Sequence, residues 1–339
     1  MARPIILGVV GDSAAGKTTI TRGLVRILGE DQVTHVCTDD YHRYDRKQRA
    51  ERGITPLNPD CNYIDIIDQD LERLRQGNAI LKPAYQHSEG TFGPPVYVTP
   101  NTFTVVEGLL GYHTEAMQAR YDVRVYLAPP EELRRHWKVQ RDCSRRGYTT
   151  DQVLAELDRR EPDSAAFIRP QEACADVVVS FQPGDSGDPD HLDADLLLRE
   201  GLPQPDLGPL DGNDRGVTLT QKDSERHMQI PGDIDPERAA EIEEAIWEKL
   251  HFATHLRSQR LGEFTIGTDL HRSESLALVQ LIILYHMVMA RAAISLGGDS
   301  PRAKQAAQTA DVQAPSGESE DEDATNARAE ESEPAAVES

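Results

Sequence analysis

The segment Gly11-Asp12-Ser13-Ala14-Ala15-Gly16-Lys17-Thr18, followed by Thr19, matches G-x-x-x-x-G-K-[ST]. It lies between an apolar run, Ile5–Val10, and an amphipathic stretch, Lys17–Leu28, the strand–turn–helix context the motif requires. Glycines let backbone N–H groups turn inward around phosphate oxygens, and the helix N-terminus adds its partial positive charge. Lys17 is placed to reach the β- and γ-phosphates, and the Thr18 hydroxyl to ligate Mg²⁺. A GTPase would carry an Asn-Lys-x-Asp base-reading loop. Gln221-Lys222-Asp223 is the nearest segment and does not fit, which points to ATP and a kinase.

Four further groups fit phosphoryl transfer. Asp39 and Asp40 follow the second apolar run, where ligands of open α/β sheets gather. A carboxylate beside a triphosphate must hold metal or accept a proton, and a hydroxyl acceptor needs a positioned base. One of the pair is expected to cap a turn; the other is the base. Arg43, Arg46, Lys47, Arg49 and Arg52, with His87 after a gap, form a basic run in an acidic chain, either a solvated face or a clamp for a substrate phosphate. Glu107 ends the third run and suits a Walker B role on Mg²⁺. Lys138, Arg141, Asp142 and Arg145 recur at i, i+3, i+4 and i+7 and share a helical face, read as a salt-bridge stripe or as a lid facing the triphosphate. Arg146, Arg159 and Arg160 extend that set. Cys143 reads as a bystander, His286 as a satisfied core histidine, and Trp137 and Trp247 as core anchors.

The elements that position these groups are legible from periodicity. Strands are expected at Ile5–Val10, Val33–Thr38, Phe103–Val106, Val123–Leu127 and Val177–Phe181. Between them, Ile20, Leu24, Ile27 and Leu28 share one helical face; Ile64, Ile67, Leu71 and Leu74 another, closed by Gly77. Glu131–Arg146 reads as a helix, and Thr149 and Gln152 look like a capping box opening Val153–Arg160. This alternation predicts an α/β fold of P-loop NTPase type, a mostly parallel sheet with helices on both faces.

The expected organisation is a kinase domain over 1–182 and a Pro/Gly/Asp-rich boundary over 183–215, with a possible strand at Ala194–Arg199. A smaller strand/helix region should span 216–300, with strands at Val217–Gln221 and His227–Ile230, a helix from Pro236 to about Arg257 capped by Asp235, and an apolar helix Leu276–Ile294. Residues 311–339 hold ten acids and one Arg and no aromatic, so 301–339 is expected to be a disordered acidic tail.

Over 339 residues, 36 Lys and Arg against 58 Asp and Glu give a net charge of −22. Such a surface argues against nucleic acid or anionic lipid as a partner. The start of the chain has no signal-peptide pattern, and no uninterrupted apolar run reaches spanning length. Cys37, Cys61, Cys143 and Cys174 form no CxxC pair, which suits a reducing, cytoplasmic setting. The apolar C-terminal helix suggests a core element or the interface of a homodimer or larger homo-oligomer.

Together these segments resemble the phosphoribulokinase family, a branch of the P-loop kinases that includes uridine kinases. The resemblance rests on GDSAAGKTT, CTDDYHRYDRKQRAERGITPLNPDCNYIDI, KPAYQHSEG, VVEGL, WKVQRDCSRRGY and FIRPQEACADVVV, in order over residues 5–181. It implies ATP- and Mg²⁺-dependent phosphorylation of ribulose 5-phosphate to ribulose 1,5-bisphosphate, a step of carbon fixation in the Calvin cycle. By motif match Asp39 would be the base and Asp142 the second essential acid, with Lys138 and Arg141 acting on the transferring phosphate. His42, Arg46, Arg49, Tyr85, His87 and Arg146 would grip the sugar phosphate, with Arg159 and Arg160 as candidates, and Thr18 and Glu107 would handle Mg²⁺. Photosynthetic members carry a regulatory thiol in the P-loop where this chain has Ala15. Their second thiol position is Cys37, so that disulfide switch is not expected. Leu110 replaces a family His, whose role is lost or passes to His113, and Ala50 stands where members often have Lys. A kinase for another sugar phosphate or for a nucleoside such as uridine, and an inactive ATP-binding regulator, are the alternatives.

Overall fold

The computed structural model describes residues 2–184, 187, 191–205, 216–223, 225–266, 269–302 and 304. The chain runs β1 (Ile5–Gly11), α1 (Lys17–Leu28), β2 (Val33–Cys37), α2 (Arg46–Arg52), α3 (Ile64–Arg75), β3 (Ile80–Gln86), β4 (Thr91–Val98), β5 (Phe103–Gly108), α4 (Glu115–Arg120), β6 (Val123–Leu127), α5 (Glu131–Arg146) and α6 (Thr150–Asp163). It continues through β7 (Val177–Pro183), β8 (Leu192–Leu198), β9 (Thr218–Lys222), β10 (Glu225–Ile230), α7 (Pro236–Lys249), β11 (Glu263–Ile266), β12 (Asp269–Arg272) and α8 (Glu274–Ser295).

One eight-stranded sheet, ordered β2-β5-β1-β6-β7-β8-β10-β9, organises the molecule. The first five strands are parallel and the last three antiparallel. β1 is buried on both faces, as parallel strands under helices are. Ile5, Leu7 and Val9 join α1, α7 and α8 in one core cluster, and Ile6 and Val10 join α3, Tyr112 and Tyr121 in the other.

The expected caps form. Thr149 and Gln152 exchange side-chain and backbone hydrogen bonds, and Asp235 accepts from the first backbone N–H groups of α7. Gly77, at φ 82°, follows α3 and donates to the Leu74 carbonyl.

The segment beyond residue 183 does not form a separate layer. Its β8, β9 and β10 extend the central sheet, β11 and β12 pair as a separate ribbon, and α8 packs against α1, α7, β1, β6 and β8. By length and composition α8 could cross a membrane, yet it is buried along most of its length inside the protein. Its apolar surface is covered by its own chain, which removes the sequence argument for α8 as a dimer face.

The helix expected to run to about Arg257 ends at Lys249 and gives way to a 3₁₀ segment, His251–Leu256. The chain turns there to keep Leu250 and Ala253 in the core. The acidic tail lies outside the described residues, apart from Pro301, Arg302 and Lys304. Arg302 reaches back to Asp176, 3.3 Å away, and to the carbonyls of Gln118 and Tyr121.

Candidate active site

Strand register sets the floor of the site. Val9 and Cys37 flank Glu107 across β1, β5 and β2, so the ends of the three strands meet at the P-loop. Gly16, at φ 94°, caps α1 in the left-handed region where a side chain would be strained. Gly108 permits a close approach: a Cβ there would lie 1.7 Å from the Thr38 hydroxyl.

At a helix start the amides of Lys17 and Thr18 have no intrahelical acceptor and are free for an anion. Lys17 Nζ donates to the carbonyls of Gly11 and Asp12 at 2.8 Å each. Burial pulls its ammonium below the usual lysine range, against the attraction of Asp39, Glu107 and Asp12. Asp12 turns its carboxylate away from the loop mouth, to Ser164 and to Arg134. Ala15 is buried in the core.

Burial alone would raise the Glu107 carboxyl, but His35, Lys17 and Thr21 hold it below its usual range. It accepts from Thr21 at 3.1 Å, lies 3.2 Å from His35 Nε2, and has the Thr18 hydroxyl 3.5 Å away. An ionised carboxylate and a hydroxyl are hard oxygen donors, so Thr18 and Glu107 fit Mg²⁺. No cluster of three or more His, Cys, Asp or Glu suited to a metal occurs among the described residues. At such a site nucleotide oxygens would supply the remaining donors to a cation.

Asp39 and Asp40 lie on a 3₁₀ turn, Thr38–Tyr41. Asp40 is the structural member: it pairs with the buried Lys82 and accepts from the Tyr85 backbone N–H at 3.1 Å, fixing the turn to the β3–β4 hairpin. The Asp39 carboxylate has no hydrogen bond or ion pair among the described residues. Its charge acts on Lys17, His42 and His87. Burial, then Asp39 and Glu107, push the Cys37 thiol well up, so it is protonated.

The basic run divides. Arg49 donates to the Tyr85 hydroxyl at 2.7 Å and covers that ring, and Arg46 donates to the His87 carbonyl at 2.6 Å. His42 and His87 both meet Tyr85 edge-on, with centroids 4.8 and 5.1 Å away. Arg43, Lys47 and Arg52 instead engage Asp65, Glu51 and the Tyr44 ring. The clamp is therefore narrower than the run, and Arg46, Arg49, His42, Tyr85 and His87 compose it. Burial lowers both imidazoles, so the fixed positive charge comes from arginine.

On α5, Asp142 receives Lys138 at 2.7 Å, Arg141 at 2.9 Å and Arg146 at 3.5 Å. Burial, then Arg141 and Arg160, bring the Lys138 ammonium down to about 8. After burial, the charge of Arg146 also lowers His87, so the α5 cluster acts electrostatically on the Tyr85 group. Arg160 belongs to that cluster although it also pairs with Glu156 at 2.5 Å. Arg159 pairs with Glu156 at 2.8 Å and contributes to neither group.

Leu110 is buried with Leu57, Leu109 and Ile168, and His113 lies edge-on to Phe167. Ala50 is exposed on α2. His35, Lys82, Thr21 and Arg134 are site-supporting residues that pattern reading missed. Only Arg134 carried a signal, one helical turn ahead of Lys138.

The sequence pattern of the Phosphoribulokinase / Uridine kinase family matches residues 6–186. The chain belongs to this family. It is 41% identical over 181 residues to a phosphoribulokinase of Synechocystis sp., covering 53% of this chain and 54% of that protein. It is 31% identical over 183 residues to a uridine kinase of Brevibacillus brevis, covering 53% of this chain and 86% of that one. The chain spans about half the length of the phosphoribulokinases it matches. Among solved structures, the phosphoribulokinase from Rhodobacter spheroides superposes with a TM-score of 0.55 and 18% identity, over 75% of this chain and 99% of that one. That likeness extends the shared fold past the residues the family pattern covers.

Proposed function

We propose that this phosphoribulokinase/uridine kinase family member phosphorylates the 1-hydroxyl of ribulose 5-phosphate with Mg-ATP, giving ribulose 1,5-bisphosphate. The observation that carries the reading is Asp39. Among the described residues its carboxylate has no hydrogen-bond or ion-pair partner, whereas that of Asp40 has two, and its charge acts on the P-loop lysine and on His42 and His87.

Phosphoryl transfer asks mainly for positioning and charge stabilisation. The P-loop amides and Lys17 hold the triphosphate. Thr18 and Glu107 would hold Mg²⁺, which would supply positive charge to offset that of the phosphates. Arg49, Arg46 and Arg146 grip the phosphate of the acceptor, with His87 as a hydrogen-bond donor, while His42 gives its Nδ1–H to Asn62 Oδ1 and offers Nε2 to an acceptor hydroxyl. Asp39 accepts the proton of the 1-hydroxyl as its oxygen attacks the γ-phosphorus. Lys138 and Arg141 meet the charge on the transferring group, and Asp142 fixes their orientation.

A uridine acceptor is the second reading, supported by the fuller coverage of the Brevibacillus brevis relative. A nucleoside has no phosphate for Arg49 and Arg46, which favours the sugar phosphate.

The test is ADP release coupled to NADH oxidation, with ribulose 5-phosphate, ribose 5-phosphate and uridine as acceptors and Asp39→Asn alongside. Turnover with ribulose 5-phosphate alone, reduced in the variant by roughly 10²–10⁴ as expected for a lost general base, supports the reading. Turnover with uridine alone replaces it with the second. ATP binding without turnover on any acceptor identifies a regulator.

A further inference from the structure

Arg134, Lys138 and Asp142 recur every fourth residue on α5, and none is more than 5% exposed. Steps of four residues advance about 6 Å along a helix and keep one face. Lys138 and Asp142 belong to the lid cluster, whereas Arg134 faces the P-loop. Its Nη1 donates to the Ser13 carbonyl at 3.0 Å and stands 3.5 Å from Asp12 Oδ1. Its Nε and Nη2 donate to Glu131 at 2.8 and 2.7 Å. Asp12 Oδ1 also accepts the Ser13 N–H at 2.6 Å, and Asp12 Oδ2 accepts from Ser164, just past α6. Asp12, Arg134 and Ser164 are 8, 5 and 2% exposed and come from three different elements.

A buried ion pair is a weak source of stability, because desolvation offsets its attraction. A carboxylate in a phosphate-binding loop also adds negative charge where anions bind. Its placement makes sense as registration. Arg134 offers a rigid fork, which fixes angle as well as distance.

We infer that Asp12, Arg134 and Ser164 form a latch that sets the register of α5, and of the chain following α6, against the P-loop, so that Lys138 and Arg141 meet the transferring phosphate. They are positioning residues rather than catalytic ones. The inference rests on the kinase reading above for its kinetic consequence, but its mechanical part stands on the geometry alone.

Asp12→Asn, Ser164→Ala and Arg134→Lys test it in the full-length chain. The latch predicts that kcat per folded enzyme falls by roughly 10- to 100-fold, while the acceptor KM and the ADP dissociation constant stay within about threefold. Arg134→Lys should retain more activity than Arg134→Met. The Asp12→Asn, Ser164→Ala double variant should cost little more than either single one, since the two act as a unit. A kcat within about twofold of the parent, or an ADP affinity that falls in parallel with kcat, overturns the latch.

An acceptor-free measurement separates this inference from the kinase reading. Hydrogen exchange with Mg-bound β,γ-imido-ATP should slow the α5 amides in the parent. In the variants protection should persist at the P-loop and be lost on α5. Coupled protection without turnover on any acceptor leaves the latch and removes the kinase reading. Turnover with α5 protection unchanged in the variants removes the latch.

Discussion

Lys138 Nζ stands 2.7 Å from Asp142 Oδ2, one turn along α5, and each side chain is only 5% exposed. The ammonium is nevertheless brought down to about 8, because burial and the neighbouring Arg141 and Arg160 outweigh Asp142. The cation is therefore present below pH 8 and lost above it. If Lys138 acts on the transferring phosphate as a cation, kcat/KM should decline as pH rises through about 8. Lys138→Arg should move that decline beyond the measurable range, and Lys138→Met should abolish it along with most activity. A pH–rate profile of the three proteins decides it; an alkaline limb unchanged in Lys138→Arg would assign it elsewhere.

The two adjacent aspartates should behave differently. Asp39→Asn is expected to lose turnover while melting like the parent. Asp40→Ala leaves the buried Lys82 ammonium unpaired, which costs about 3–5 kcal/mol for a buried pair broken on one side. Urea unfolding beside steady-state kinetics separates the two; equal stability losses would mean that Asp39 is also a structural residue.

His35 is expected to orient Glu107. Removing a group that hydrogen-bonds a metal ligand typically weakens metal affinity by about 10- to 100-fold. His35→Ala should therefore raise the Mg²⁺ concentration needed for half-maximal nucleotide binding, with Glu107→Gln more severe. Fluorescent-nucleotide titrations across Mg²⁺ concentrations read this directly. A His35→Ala curve overlying that of the parent would remove His35 from the site.

His286 was expected to be a satisfied core histidine. It is buried, but neither ring nitrogen has a hydrogen-bond partner among the described residues. Burial brings it down to about 4 from an ordinary 6.5. The unfolded chain thus takes up a proton between those values that the folded protein refuses. Stability is full above pH 6.5 and is lost as pH falls towards 4, by roughly 3 kcal/mol in total. His286→Leu should flatten that loss. Chemical denaturation at pH 7 and pH 4.5 checks it, and an equally steep acid loss in the variant would refute the assignment.

Much of this was legible in the sequence because parallel strands and their covering helices write strong periodic patterns. The eight strands expected at Ile5, Val33, Phe103, Val123, Val177, Ala194, Val217 and His227 all lie in the central sheet. The β3–β4 hairpin was not legible. Pro83 interrupts β3 at a register shift, and Gly93, Pro94 and Pro95 make β4 read as a loop. Proline is tolerated there because a two-stranded ribbon leaves backbone groups unpaired on its outer edges. The hairpin still carries Lys82 and Tyr85, the partners of Asp40, so missing it hid which aspartate was fixed. His35 was hidden for another reason. Its role depends on strand order, which places β2 beside β5, and no spacing along the chain encodes that.

The burial of α8 against α1 and β1 has a consequence for synthesis. The P-loop leaves the ribosome long before α8, the helix that packs behind it. At roughly 5–20 residues per second, the strand bearing the phosphate loop waits many seconds with one face uncovered. Contacts this far apart in sequence also slow refolding. Until α8 is made, α1 and β1, which flank the phosphate loop, lack one of the surfaces they pack against.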